Sequence, residues 1–142
     1  MKIKHLIIIA LSLLASLSCK KESKSSPSNA LTSKFWKRAL NDNNPLTNPP
    51  GAAIYYSVQN CEKDDSFRFG LDGNVALNRN IEKCDPNELQ SETLTYTLNR
   101  TTKELDINGT KFTLAEESTS QIKYYATIPS NTGFQNLIFL LQ

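Results

Sequence analysis

The sequence predicts an all-β domain, a small antiparallel up-and-down β-barrel of about eight strands. Three observations support this fold class: short stretches in which apolar and polar residues alternate, turn dipeptides between those stretches, and no long stretch with helical periodicity. About eight or nine such stretches are present, which is more than one open sheet of this size usually holds. We therefore expect the sheet to close on itself.

The alternation recurs along the whole folded region. After a first strand at residues 35–40, the apolar positions that share a face are Ile54, Tyr56 and Val58, Phe67, Phe69 and Leu71, Val75 and Leu77, Leu94, Tyr96 and Leu98, Leu105 and Ile107, Phe112 and Leu114, and Ile122, Tyr124 and Ala126. A last strand is expected at residues 136–141. Asp72-Gly73 and Asn108-Gly109 lie between such stretches, and both dipeptides favour hairpin turns because their residues tolerate positive φ.

The first eighteen residues have the order of an export signal. A basic start that includes Lys2 and Lys4 is followed by apolar residues 6–17 and by small residues just before Cys19. The apolar stretch is shorter than the roughly 20 residues that a membrane-spanning helix needs. The segment resembles the lipobox of bacterial lipoproteins, which implies cleavage before Cys19 and attachment of lipid, including an acyl chain such as palmitate, to that cysteine. A plain secretory signal and an uncleaved anchor remain the alternatives.

Residues 19–30 are rich in Ser, Lys, Pro and Asn, so we expect a lipidated flexible tether. Residues 31–142 then form one domain. The cluster at residues 20–24 is either the solvated start of the tether or a signal for the outer face of the outer membrane, which such short charged sequences resemble. We expect an outer-membrane lipoprotein that is surface-exposed or, alternatively, periplasmic.

Charge and histidine content exclude several classes of function. Loss of Lys2 and Lys4 with the signal leaves equal numbers of basic and acidic residues, so no nucleic-acid partner is expected. His5 is also lost, which removes His-based catalysis and His ligands for metals. Carboxylates such as Asp106 and the pairs Asp64-Asp65 and Glu116-Glu117 could still serve catalysis, but solvated positions explain them more simply. We expect no enzyme, no cofactor and no metal.

The remaining cysteines form an even pair. With Cys19 used for lipid, Cys61 and Cys84 are left in a protein that is exported to an oxidising compartment. We therefore predict that they form a disulfide.

Several segments together resemble the lipocalin-like lipoproteins of Gram-negative bacteria. The resemblance is carried by residues 31–37, with Phe35-Trp36, by residues 61–69, and by Asp72-Gly73, Cys84-Asp85-Pro86 and residues 105–109. It implies a calycin-type barrel. The chain departs from the pattern at Lys34, where glycine is usual, and in the Asn- and Pro-rich segment 40–51, which we expect to lie over the barrel mouth.

The inward-facing side chains bear on function. Six bulky aromatic residues could line a pocket or simply fill the core: Tyr56, Phe67, Phe69, Tyr96, Phe112 and Tyr124. Trp36 is either core or a plug at the barrel base, and Tyr55 and Tyr125 should face outward as a partner surface. We expect a monomeric binder of a small apolar or amphipathic ligand. The alternative is an interaction module with a filled barrel that displays its loops to a protein or glycan.

Overall fold

A computed structural model describes residues 29–142. The predicted signal at residues 1–18, the predicted lipidation site Cys19 and nearly all of the predicted tether lie outside these residues. Ala30, which we placed at the end of the tether, belongs to the folded region. It begins a 3-10 helix, Ala30–Thr32, and its side chain is buried in the core.

The described chain is all-β, and its nine strands form one curled sheet that makes a half-barrel. The strands are β1 (Trp36–Lys37), β2 (Ala53–Tyr55), β3 (Ser66–Phe69), β4 (Asn74–Asn78), β5 (Ser91–Asn99), β6 (Glu104–Ile107), β7 (Thr110–Glu117), β8 (Ile122–Thr127) and β9 (Asn136–Leu141). Their order in the sheet is β1-β3-β4-β5-β6-β7-β8-β9-β2. From β3 to β9 each strand pairs with the next in antiparallel fashion, as the alternation and turn signals predicted.

The prediction of a purely antiparallel meander is wrong at β2. This strand leaves the sequential order and pairs with β9 in parallel, with Ile54 opposite Leu137. The first strand is also shorter than predicted, since β1 covers two residues and Arg38 adds a single antiparallel bridge to Leu141. β1 and β2 are the first and the last strand in the order of the sheet, and residues 40–52 form the long connection between them.

Both predicted turn dipeptides connect strands. Asn108 and Gly109 have φ of 52° and 80° between the directly paired Ile107 and Thr110, so they form a two-residue turn of the type with positive φ at both positions. The Asp72-Gly73 turn is one residue longer, because Gly70 N donates to Asn74 O at 2.7 Å. Gly73 supplies the positive φ there, at 80°.

The core lies on the concave face of the sheet. Register places Trp36 opposite Phe67, Phe69 opposite Val75 and Leu114 opposite Tyr124, so alternate residues of these strands point to the same side. Ile54 and Leu71 were expected on the apolar face but are exposed, because Ile54 lies on the edge strand β2 and Leu71 lies in the β3–β4 turn. The buried members of this cluster are Ala30, Leu31, Trp36, Phe69, Val75, Leu105, Leu114, Ile122, Tyr124 and Leu141.

The Asn- and Pro-rich segment 40–51 does not lie where we predicted. Its residues bond to β8 positions that face away from the core: Lys123 Nζ donates to Asn44 O and to Asn48 Oδ1, both at 2.7 Å. The segment therefore covers the convex face of the sheet and not the mouth of a barrel. The physical reason is that Lys123 gives the carbonyl and amide oxygens of this segment a buried cation to bind.

Within residues 29–142, no helix has the length and apolar character needed to cross a membrane.

Candidate functional site

A cavity of about 220 Å³ lies on the concave face of the sheet. Strands β3 to β9 contribute its walls, and all of its lining residues except Arg38, Asn108 and Thr110 are apolar or aromatic. The apolar side chains come from alternate positions of each strand, so the same periodicity that builds the core also builds this cavity. Its volume lies below the 300 Å³ or so at which ordinary small-molecule sites begin.

Stacked aromatic rings form one wall. The Tyr124 and Phe139 rings stack with centroids 5.2 Å apart, and Phe112 meets them edge-on at 5.1 and 5.6 Å. Tyr56 stacks on Phe139 at 5.0 Å. Rings that hold one another in this way keep the wall in place without needing a ligand to fill the space.

The six predicted pocket residues separate into two groups. Phe67, Phe69, Phe112 and Tyr124 line the cavity. Tyr56 and Tyr96 do not: Tyr56 lies next to Phe139, and Tyr96 packs edge-on against Phe69 at 5.0 Å. The Tyr96 hydroxyl donates to Gly70 O at 2.7 Å, so Tyr96 helps to fix the β3–β4 turn.

Arg38 is the charged residue of the cavity wall. Its guanidinium carbon lies 4.9 Å from the centroid of the Tyr56 ring and 5.2 Å from that of Phe67, both within the range of cation–π attraction. Its Nε is 3.3 Å from Glu62 Oε1, and the Arg38 side chain is 19% exposed. The Nε is buried without a hydrogen bond of good geometry. Arg38 also donates a hydrogen bond to the Tyr124 hydroxyl, so its partners are Glu62 and Tyr124, and these do not use all five N–H donors of the guanidinium.

Glu62 is held more firmly than Arg38. Both of its carboxylate oxygens lie 2.9 Å from the Tyr56 hydroxyl, and Oε2 also accepts Gln59 N at 2.9 Å. The last contact is half of a capping box that starts the 3-10 helix Asn60–Glu62. Helix capping thus fixes the counter-ion of Arg38 in place.

The predicted disulfide is present, and it lies next to this ion pair. Cys61 and Cys84 are bonded, with their Cα atoms 5.2 Å apart. Cys61 directly precedes Glu62 in the short helix, so the bond ties that helix to the link between β4 and β5. Asp64 reinforces the same connection, because its Oδ2 accepts Ile81 N at 2.7 Å.

The tyrosines near Arg38 are held in their neutral form. Burial raises the pKa of Tyr124, an effect that the nearby Arg38 guanidinium opposes. Burial also raises the pKa of Tyr56, and the hydrogen bond to Glu62 raises it further. Both hydroxyls therefore keep their protons at neutral pH, and Tyr56 is the donor in its contact with Glu62.

A second cation lies on the opposite, convex face. Lys123 has no exposed surface, and its Nζ is 2.7 Å from Asp42 Oδ2 as well as from the two oxygens of residues 44 and 48. Asp42 also accepts from Tyr55 OH at 2.7 Å and from Gln121 Nε2 at 2.9 Å. Burial alone would raise the pKa of Asp42, but these bonds, led by that from Lys123, lower it to about 2.

This network changes the interpretation of Tyr55 and Tyr125. Tyr55 does face outward, but its hydroxyl donates a hydrogen bond to Asp42 and accepts one from Asn48. Tyr125 is half-buried in a depression that it shares with Pro49 and Pro50. Tyr55 is therefore bonded to the chain's own segment 40–51, and Tyr125 lies beside the same segment.

Trp36 is part of the core at one end of the sheet. Its side chain is fully buried, and its Nε1 donates to Leu31 O at 2.8 Å. Lys34 lies 4.3 Å from the centroid of the indole ring. Leu31 N donates to Glu117, whose carboxylate is held by two bonds from Arg100 at 2.8 Å. The helix Ala30–Thr32 thus covers Trp36.

Arg38 and Phe139 are among the cavity residues that sequence reasoning missed. Arg38 lies two residues after Trp36, so the period of two placed it on the same face, but its charge favoured an outward position. Phe139 lies in the uniformly apolar stretch 137–141, where no alternation distinguishes one face from the other.

Within residues 29–142, no group of three or more His, Cys, Asp or Glu side chains is arranged to hold a metal. Comparison of the chain with family models, with curated proteins and with solved structures gave no match.

Proposed function

We propose that this protein is a membrane-anchored, lipocalin-like lipoprotein that binds a small apolar or amphipathic ligand inside its β-barrel. The observation that carries the proposal is the cavity of about 220 Å³, which is lined by aromatic and aliphatic side chains around a single guanidinium. A concave, mostly apolar site with few polar groups is the usual form of a small-molecule site. In another protein an apolar cavity of about 150 Å³ binds benzene, so a volume below that of drug sites still suffices for a small ligand.

Closure of the sheet into a barrel is part of this proposal. Lys37 N donates to Gln142 O at 2.8 Å and Gln142 N to Lys37 O at 2.9 Å, while Ala39 N donates to Leu140 O at 3.0 Å. These bonds connect the chain beside β1 to the end of β9. In this interpretation β1 and β3 to β9 are the eight strands of the barrel, and β2 is an additional strand on β9.

The anchoring part of the proposal rests on the sequence around Cys19. The tether would join the lipid to the end of the domain where the helix Ala30–Thr32 covers Trp36. The Cys19→Ser variant should then leave the membrane fraction and appear in the soluble envelope fraction. Retention of that variant in the membrane after a high-salt wash would contradict lipid anchoring.

Ligand binding can be tested with 2-phenylethanol, which adds a short hydroxyl-bearing arm to a benzene ring. The chain from residue 19 onward, with Cys19→Ser, is purified without detergent because detergent could itself enter an apolar cavity. Methyl NMR titration should shift the signals of Val75, Leu94 and Ile107, which line the cavity, and leave exposed Leu46 unchanged. Equal shifts at both sets of methyl groups, or none, would contradict the proposal.

A blocking variant makes this test specific. Thr110 lines the cavity and is exposed, so Thr110→Trp should obstruct entry and weaken binding at least tenfold. Thr93→Trp adds the same bulk on β5 at an exposed position that does not line the cavity, and it should bind like the wild type.

One observation favours the alternative, an interaction module. Ile81 and Leu89 are 90% and 67% exposed, and both lie in the link that the disulfide holds. Exposed apolar side chains on a restrained loop suit a protein partner. If the alternative holds, 2-phenylethanol leaves the cavity methyl signals unchanged, and Ile81→Ser with Leu89→Ser abolishes partner binding.

A further inference from the structure

The charges around Arg38 bear on which headgroup the cavity can accept. Glu62 lies at ion-pair distance from Arg38, so the two together carry no net charge. The next ionisable groups add negative charge: Asp65 is buried, is adjacent to Asp64, and interacts electrostatically with Arg38, Glu62 and Arg79. Arg79 does not supply a spare cation, since it is paired with Glu88 and Glu92.

An ionised ligand would gain little in this environment. Moving a carboxylate out of water costs several kcal/mol, and this cost is recovered only where a cation is available with good geometry. The cation at hand already has a carboxylate 3.3 Å away, and a second anion would also be repelled by Glu62 and by Asp65. A cationic ligand would meet Arg38 itself in the cavity wall.

An uncharged oxygen avoids these costs. A guanidinium has five N–H donors, and the ion pair with Glu62 together with the hydrogen bond to the Tyr124 hydroxyl does not use them all. Glu62 has little capacity to spare, because its oxygens already accept from Tyr56 and from Gln59. A neutral acceptor can therefore bind to Arg38 without displacing Glu62, while the apolar body of the ligand packs against the stacked rings of Tyr124 and Phe139.

We propose that the cavity selects small uncharged amphiphiles, each with one oxygen acceptor placed against Arg38, over carboxylates and amines of the same size. This inference rests on the proposed function and adds the chemical class of the ligand. Arg38 provides the hydrogen bond, and Glu62 provides the discrimination against anions by neutralising Arg38.

Three probes of matched size test the selectivity at pH 7: 2-phenylethanol, phenylacetate and 2-phenylethylammonium. In methyl NMR titrations of the Cys19→Ser chain without detergent, we expect the alcohol to bind at least tenfold more tightly than either ion. If phenylacetate binds as tightly as the alcohol or more tightly, the inference is overturned while the binding function stands. If none of the three probes binds, the proposed function itself fails, and the inference fails with it.

Two variants test the assigned roles. Glu62→Gln keeps an acceptor for Tyr56 but leaves Arg38 without a counter-ion, so phenylacetate should gain at least tenfold relative to 2-phenylethanol. Glu88→Gln removes a carboxylate that pairs with Arg79 and does not line the cavity, and the ratio should stay as in the wild type. An unchanged ratio in Glu62→Gln, or an equal change in both variants, would show that Glu62 does not set the selectivity.

Discussion

Lys123, which is buried, and Arg38, which is half-buried, lie on opposite faces of the same sheet, and they differ in how completely their bonding is satisfied. Lys123, on the convex face, is fully buried and has three oxygens at 2.7 Å. Arg38, on the concave face, has one carboxylate at 3.3 Å and remains 19% exposed at the edge of a cavity. A cation whose donors are all used belongs to the fold, whereas one with donors to spare beside an apolar cavity can serve a ligand.

The largest effect is expected from removing the counter-ion of Lys123. Asp42→Asn keeps the size of the side chain but leaves a buried ammonium without its carboxylate, which should reduce the free energy of unfolding by about 3–5 kcal/mol. Chemical denaturation measures this loss.

An exposed ion pair gives the matched control for that variant. Lys111 and Glu104 are 72% and 50% exposed, so Lys111→Gln should cost less than about 1 kcal/mol. Similar losses in the two variants would mean that the Lys123 network does not hold the segment 40–51 in place.

A comparable loss in the free energy of unfolding is expected when a packed side chain on the concave face is truncated. Phe69 is buried against Tyr96 and lines the cavity, so Phe69→Ala should cost about 3–5 kcal/mol. Arg68→Ala changes the neighbouring residue, whose side chain faces outward over Phe35, and should cost no more than about 1 kcal/mol. Denaturation curves in which Arg68→Ala is the more damaging variant would contradict the assigned faces of β3.

The Lys123 network should also be visible in the dependence of stability on pH. The Asp42 pKa is lowered to about 2 from its ordinary 3.8, so the folded state holds this proton less tightly than the unfolded chain does. The resulting stabilisation, about 2 kcal/mol, is fully present above about pH 5 and is lost as the pH falls through about 2. NMR titration of the Asp42 carboxyl carbon should give a midpoint near pH 2; a midpoint at 3.8 or higher would contradict the network.

The two faces also differ in how much the sequence could predict. Period-two alternation is a local property, and it correctly placed Phe67, Phe69, Phe112 and Tyr124 on the concave face. The Asn108-Gly109 turn could also be predicted, because the turn needs positive φ at both positions and these two residue types adopt it readily. The disulfide followed from cysteine number and the predicted export.

The convex face could not be predicted in this way. Lys123 alternates with Ile122 and Tyr124, so its position predicts exposure to solvent, and only a segment 75 to 79 residues away in sequence buries it. Ile138 and Leu140, on the same face as Lys123, are also buried, so 137–141 is apolar on both faces and its pattern does not show the inward position of Phe139. The parallel pairing of β2 has a similar origin, since it depends on where the long connection 40–52 returns to the sheet.

The most direct test of the account is a crystal structure of the Cys19→Ser chain soaked with 2-phenylethanol. We expect the ring in the cavity beside Phe112, Tyr124 and Phe139, with the hydroxyl oxygen about 3 Å from a guanidinium nitrogen of Arg38. Glu62 should stay paired with Arg38 in the complex. An empty cavity with the alcohol bound instead at the exposed Ile81 and Leu89 would contradict the account.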